Sequence, residues 1–111
     1  MAKINKVGVI GAGVMGSGIA AHLANAGIEV VLLDMERKFA ANGIAKQIKS
    51  GGFMDSAFAA RITPGSTADD IDLLADADWI IEAVAERLDV KQTLYRSVDA
   101  VRKPGSIVSS T

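Results

Sequence analysis

One stretch limits what this chain can fold into more than any other. In residues 6–34 an apolar run enters a glycine-rich turn, a helical pattern follows, and a second apolar run ends on a carboxylate. Val7-Gly8-Val9-Ile10 has the character of a strand buried on both faces. It passes directly into Gly11-Ala12-Gly13-Val14-Met15-Gly16, which satisfies G-x-G-x-x-G at every position. Each glycine has its own task in that pattern. Gly11 permits the tight turn off the strand, Gly13 lets a diphosphate come up to bare backbone, and Gly16 lets the helix pack close to the strand. The helix then directs its free N–H groups and the positive end of its dipole at the phosphates, so Val14 and Met15 join the site through their backbone.

A glycine-rich turn alone is weak evidence, but here its context is complete. Ile19, Leu23 and Ala26 mark one face of a helix, and Gly27 stands where a helix ends. Glu29-Val30-Val31-Leu32-Leu33 reads as a second buried strand, and Asp34 closes it. Asp34 comes 18 residues after Gly16, close to the roughly 20 expected for the acid that holds an adenosine ribose. A purely structural βαβ unit gives no reason for an acid at that place. The pattern therefore predicts a dinucleotide site made of residues 11–16 and Asp34. Arg37 and Lys38 follow Asp34 and basic residues there can accept a 2′-phosphate, but Asp34 repels one, so NAD is expected over NADP.

The remaining chain continues the alternation. Ala40, Ile44 and Ile48 form the stripe of a helix that Gly51-Gly52 stops, and Asp55 is placed to cap a short second helix with Phe58 and Ile62 as its apolar contacts. Arg61-Ile62-Thr63 reads as a short strand, Pro64-Gly65 as the turn after it, and Thr67 precedes Asp69 and Asp70 as the cap of a helix through Ile71-Asp72-Leu73-Leu74. A strand over residues 78–84 follows. Next comes a helix opened by Glu86 and Arg87, with Val90, Leu94, Val98 and Val101 as its stripe. Pro104-Gly105 ends it, and Ser106-Ile107-Val108-Ser109-Ser110 begins a further strand. Such alternation implies right-handed crossovers and an α/β fold of the Rossmann type, a doubly wound parallel sheet with helices on both faces. In that order the strands at 7–10 and 78–84 are neighbours, which sets residues 11–16 opposite residues 83–91 across the ligand crevice.

Composition excludes several classes. Twelve Lys and Arg against thirteen Asp and Glu leave a net charge of −1, with no basic run or aromatic platform, so no nucleic-acid partner is expected. No apolar run approaches the ~20 residues of a membrane span, and the N-terminus lacks the apolar core of a signal peptide. Cysteine is absent, so no disulfide or cysteine–metal site is expected, and a cytoplasmic location is the expectation. The single histidine, His22, falls among Ala20, Ala21, Leu23 and Ala24 inside the first helix and is expected to be a packing or surface residue.

Several spaced phrases resemble one family. Gly11-Ala12-Gly13-Val14-Met15-Gly16-Ser17-Gly18-Ile19-Ala20, Leu23-Ala24-Asn25-Ala26-Gly27 and Val31-Leu32-Leu33-Asp34 look like the opening of the 3-hydroxyacyl-CoA dehydrogenases. So do Trp79-Ile80-Ile81-Glu82-Ala83-Val84-Ala85-Glu86-Arg87-Leu88-Asp89-Val90-Lys91-Gln92 and the tail Lys103-Pro104-Gly105-Ser106-Ile107-Val108-Ser109-Ser110. The likeness covers nearly the whole chain and is nearest to the bacterial long-chain forms with a fused hydratase-like region. It implies an oxidoreductase of fatty-acid β-oxidation that converts a 3-hydroxyacyl-CoA to the 3-ketoacyl-CoA with NAD, and that is a homo-oligomer at full length. By position, Gly11, Gly13, Val14, Met15 and Gly16 hold the pyrophosphate and Asp34 the ribose. Ala85, Glu86 and Lys91 lie near the nicotinamide half, where the resemblance gives Glu86 and Lys91 cofactor contacts. Taken without the resemblance, Glu86 is a helix-start acid and Lys91 a solvated cation.

The family's catalytic serine, histidine and glutamate belong to sequence beyond residue 111, so residues 1–111 are expected to be an N-terminal NAD-binding Rossmann domain that is truncated, binds NAD and does not turn over substrate alone. Residues 36–60 are shorter than the family's lysine-rich stretch that holds CoA, and no CoA contacts are assigned. The competing expectations are another NAD-dependent dehydrogenase of the β-hydroxyacid type, a non-catalytic nucleotide-binding module, and FAD in place of NAD, since the turn is shared.

Overall fold

The structure, a computed structural model, describes residues 4–84 and 88–110, with only the backbone described for residues 88–91. Five strands form one parallel sheet: β1 (Lys6–Ile10), β2 (Glu29–Asp34), β3 (Ile62–Ser66), β4 (Trp79–Glu82) and β5 (Ile107–Ser110). Their order is β3-β2-β1-β4-β5. β1 lies between β2 and β4 in parallel register, Ile10 opposite Leu33 on one side and Glu82 on the other. The order reverses after the first three strands, so the switch point falls between β1 and β4, as the alternation predicts.

Between their polar end residues the central strands β1, β2 and β4 are apolar, because both their faces are covered. Val7, Val9, Val30 and Leu32 pack on one face with Ala20, Ala24 and Ala40, whereas Ile10, Val31, Leu33 and Ile80 pack on the other with Leu74 and Val98. The first layer comes from α1 (Val14–Asn25) and α2 (Arg37–Ser50), and Leu94, Val98 and Val101 of α3 (Leu88–Val101) cover the second. Full burial of one such aliphatic side chain contributes about 1.5–3 kcal/mol. The position of Gly8 in β1 shows how closely the second layer approaches, since a Cβ there would lie 2.3 Å from Leu74 Cδ2.

Three local expectations are corrected. Pro64-Gly65 is not a turn; both residues lie within β3, Pro64 opposite Leu32 and Gly65 opposite Leu33. Proline is tolerated there because β3 is an edge strand, and its missing N–H takes nothing from the ladder. The chain turns one step later, where Asp70 Oδ2 accepts from Ser66 N at 2.8 Å and Ser66 Oγ accepts from Asp69 N at 3.0 Å. Thr67 therefore caps nothing; its N–H donates to the Asp34 carbonyl, and the expected helix shrinks to one 3-10 turn at Ile71–Leu74.

The faces of α1 and α2 also differ from expectation. α1 buries Gly16, Ser17, Ala20, Ala21 and Ala24, leaving Ile19 and Leu23 half-buried and Ala26 exposed. Small side chains win because the helix lies close over the sheet and also carries α2. On α2, Ala40 is buried and Ile44 half-buried, but Ile48 is exposed, since Gly43 makes the contact with α1 instead. The helix ends before Gly27 and Gly51 stand as read. Asp55 does cap a 3-10 helix at Ser56–Arg61, accepting from Ala57 N at 2.9 Å, while Ile62 belongs to β3.

Candidate dinucleotide site

The turn between β1 and α1 is fastened to the strands on both sides. Gly11 N donates to the Leu33 carbonyl at 2.7 Å and Ala83 N donates to the Ile10 carbonyl at 2.8 Å. Gly11 has φ +105, a conformation L side chains rarely adopt, and a Cβ on it would meet the Ala83 carbonyl oxygen at 2.7 Å. At Gly16 an added Cβ would sit 1.7 Å from the Gly11 carbonyl oxygen. The first and third glycines are therefore required by the chain's own packing.

Gly13 is different. It is the N-cap of α1, with φ −66, and nothing lies within 4 Å of where its Cβ would be. No protein atom demands a glycine here, and the space left over is outside the fold. The first turn of α1 carries no acid, and its N-cap has no side chain to bond the N–H groups of that turn. Those donors and the positive end of the dipole face outward, an arrangement suited to an anion. Val14 and Met15 point their side chains to solvent, 91% and 61% exposed, so only their backbone can serve the site.

Asp34 ends β2 beside this turn. Its Oδ2 accepts from Ala12 N at 2.7 Å and its Oδ1 from Met35 N at 2.6 Å. The carboxylate thus braces the turn and stays half-buried at the rim. No described cation pairs with it. Each oxygen keeps a lone pair free for a further donor, as a vicinal diol would require.

A cleft of about 360 Å³ opens from the turn along α2, lined among others by Gly13, Asp34, Phe39, Asn42, Lys46 and Gln47. Sequence reading assigned none of these α2 residues to the site. Gly43, at the floor, was missed too. A Cβ there would lie 2.3 Å from Ser17 Oγ and 2.9 Å from the Ala12 carbonyl oxygen, the pair joined by a 2.8 Å hydrogen bond. The available signal was a lone glycine inside a helical pattern, which commonly marks close packing.

Gly11, Gly13, Val14, Met15, Gly16 and Asp34 lie together at the turn between β1 and α1 and the end of β2. Ala85 and Glu86 lie outside the described residues, and for Lys91 only the backbone, within α3, is described. His22 is exposed in the last turn of α1, away from the glycine turn. Among the described residues no group of His, Asp or Glu is placed to hold a metal ion, and no helix is long and apolar enough to cross a membrane.

The family model described as 3-hydroxyacyl-CoA dehydrogenase, NAD binding domain, matches residues 6–111. A probable 3-hydroxyacyl-CoA dehydrogenase of Deinococcus radiodurans is 46% identical over 117 residues, which cover 97% of this chain and 34% of that protein. One of Bacillus subtilis is 41% identical over 96% of this chain and 16% of its own length. Among solved structures, the (S)-3-hydroxybutyryl-CoA dehydrogenase of Ralstonia eutropha superposes with a TM-score of 0.82 at 32% identity, covering 97% of this chain and 41% of that one. The chain thus spans about a third or less of the length of these two curated relatives. With its glycine turn, its acid at the end of β2 and its parallel sheet, the chain belongs to the 3-hydroxyacyl-CoA dehydrogenase family and is an NAD binding domain of that family.

Proposed function

We propose that this chain holds NAD across the β1–β4 switch point for a protein that oxidises 3-hydroxyacyl-CoA thioesters to 3-ketoacyl-CoA thioesters. The N–H groups at Gly13, Val14 and Met15 take the pyrophosphate, and Asp34 takes the two hydroxyls of the adenosine ribose. Gly11 and Gly16 keep strand, turn and helix close enough for both. Ala85, Glu86 and Lys91 serve the nicotinamide half, by the family resemblance. NAD, when bound, supplies the hydride acceptor; what these residues contribute is binding, orientation and rejection of a 2′-phosphate by the Asp34 carboxylate. Acyl-CoA is the substrate partner of the whole protein, and self-association is expected of it.

The observation that carries this reading is the junction of Asp34 Oδ2 with Ala12 N at 2.7 Å beside the open Cβ position of Gly13. It supports reading Asp34 as a hydroxyl acceptor and the turn as a phosphate cradle for one ligand. Titration of the chain with NADH, followed by nicotinamide fluorescence, tests it. Saturable binding in about the micromolar to millimolar range, with NADPH and FAD weaker, is expected. Absence of saturation, or tighter FAD binding, would overturn it. For the whole protein, NADH oxidation by acetoacetyl-CoA is the expected activity, and its absence would remove the enzymatic part.

A further inference from the structure

β4 ends on a carboxylate that the dinucleotide reading does not use. Glu82 is 1% exposed, and its place in the strand alternation puts it on the face of Ile80, the α3 side of the sheet. It stands at the last register position of three strands, opposite Ile10 of β1 and Ser110 of β5. Its Oε2 accepts from Val84 N at 3.1 Å. If this position only had to fill the core, leucine or methionine would do so without removing a carboxyl group from water. The carboxyl organises one object beside it.

That object is the segment on which the glycine turn rests. Ala83 lies between the first and third glycines. A Cβ on Gly11 would be 2.7 Å from the Ala83 carbonyl oxygen and 3.1 Å from Val84 N, and one on Gly16 would be 3.5 Å from Ala83 Cβ. Ala83 N in turn donates to Ile10, the residue before the turn. Regular β pairing stops at Glu82, so the path of residues 83 and 84 is no longer set by the ladder alone. The bond from Val84 to its own neighbour-but-one Glu82 closes that gap.

We infer that Glu82 is a positioning residue for the dinucleotide site, its buried carboxyl oxygen fixing residues 83–84 so that they back the phosphate-binding turn. This rests on the NAD reading above. Glu82 acts through Val84, Ala83 and the turn.

The test compares Glu82→Gln, which keeps an acceptor oxygen for Val84 N, with Glu82→Leu, which keeps the approximate bulk and loses the acceptor. NADH affinity should fall roughly tenfold in the Leu variant, the effect of losing one buried hydrogen-bond partner, and stay within about threefold of wild type in the Gln variant. Wild-type NADH affinity in the Leu variant, or equal losses in both, would overturn the inference. Should the Leu variant not fold, amide exchange decides. The Val84 amide should be protected in ligand-free wild type and in the Gln variant, and rapid exchange in either refutes the role. Because this readout needs no cofactor, it separates failure of the Glu82 inference from failure of NAD binding itself.

Discussion

The two ends of the sheet each carry an aspartate that accepts two backbone N–H groups, yet the two are built for different purposes. At the carboxyl end, Asp34 accepts from Ala12 and Met35. At the opposite end, Asp78 Oδ2 accepts from Asn5 N at 2.8 Å and Lys6 N at 3.1 Å. There the likeness stops. Asp78 Oδ1 also takes the Lys103 ammonium, and Lys6 pairs with Asp76 at 2.6 Å, so the N-terminal segment, β4 and the residues before β5 are tied together by charge. Asp34 has no described cation, faces a cleft, and sits beside a helix terminus whose donors point outward. One aspartate spends three of its roughly four acceptor sites on the chain itself, the Lys103 ammonium among the donors. The other retains bonding capacity that a ligand can use, and the contrast separates a clamp from a binding residue.

The largest expected effect lies on the binding side. Gly13→Val places a side chain where no protein atom lies, at an ordinary φ of −66, so the sheet should form as before. The diphosphate loses its approach, and NADH affinity should drop by about a hundredfold or more, since a steric block leaves little of the site. Retained NADH binding in fluorescence titration would detach the turn from the ligand.

Next comes Asp34. Asp34→Ala removes hydrogen bonds to a charged acceptor, about 1.5–3 kcal/mol, or roughly tenfold to hundredfold in NADH affinity. It should also narrow the preference for NADH over NADPH. Asp34→Asn sharpens the point: it keeps an acceptor for Ala12 N, so the turn stays braced, but it lacks the charge that repels a 2′-phosphate. Discrimination should relax in both variants, measured by parallel titrations with the two cofactors.

Asp78 should behave in the opposite way. Asp78→Asn is expected to lower the melting temperature while leaving NADH affinity unchanged, because the clamp lies at the far end of the sheet. A change in affinity there would break the comparison.

The smallest effect is the acid dependence. The Lys103 ammonium, with the Asn5 and Lys6 N–H groups, holds the Asp78 carboxyl down to about 2 from an ordinary 3.8. Lys6 lowers Asp76 in the same direction. The unfolded chain therefore takes up these protons at higher pH than the folded one. The stabilisation from Asp78 is fully present above the ordinary carboxylate range and is lost as pH falls through about 2, and that from Asp76 is lost in the same direction. Thermal melts between pH 5 and pH 2 should show this decline, and Asp78→Asn should flatten it.

How much of this was legible in the sequence depends on whether a feature is local. The glycine turn, the acid ending β2, the Gly51 stop and the Asp55 cap all follow from residue type and spacing over short distances, and they were readable. So was the adjacency of β1 and β4, since right-handed crossovers leave few alternatives. Pro64 misled because its meaning depends on whether its strand lies at an edge, a property of the whole sheet. The buried face of α1 misled because apolar size was weighed above closeness, and alanine, glycine and serine won where two layers meet. Gly43, Phe39 and Asn42 entered the site only through the packing of α2 on α1, which no periodicity encodes.

A crystal structure of the chain with saturating NADH tests the central claim most directly. The account predicts the pyrophosphate on the N–H groups of Gly13, Val14 and Met15, and both ribose hydroxyls within hydrogen-bond distance of the Asp34 carboxylate. A cofactor bound elsewhere, or an Asp34 side chain turned away from it, would contradict the account.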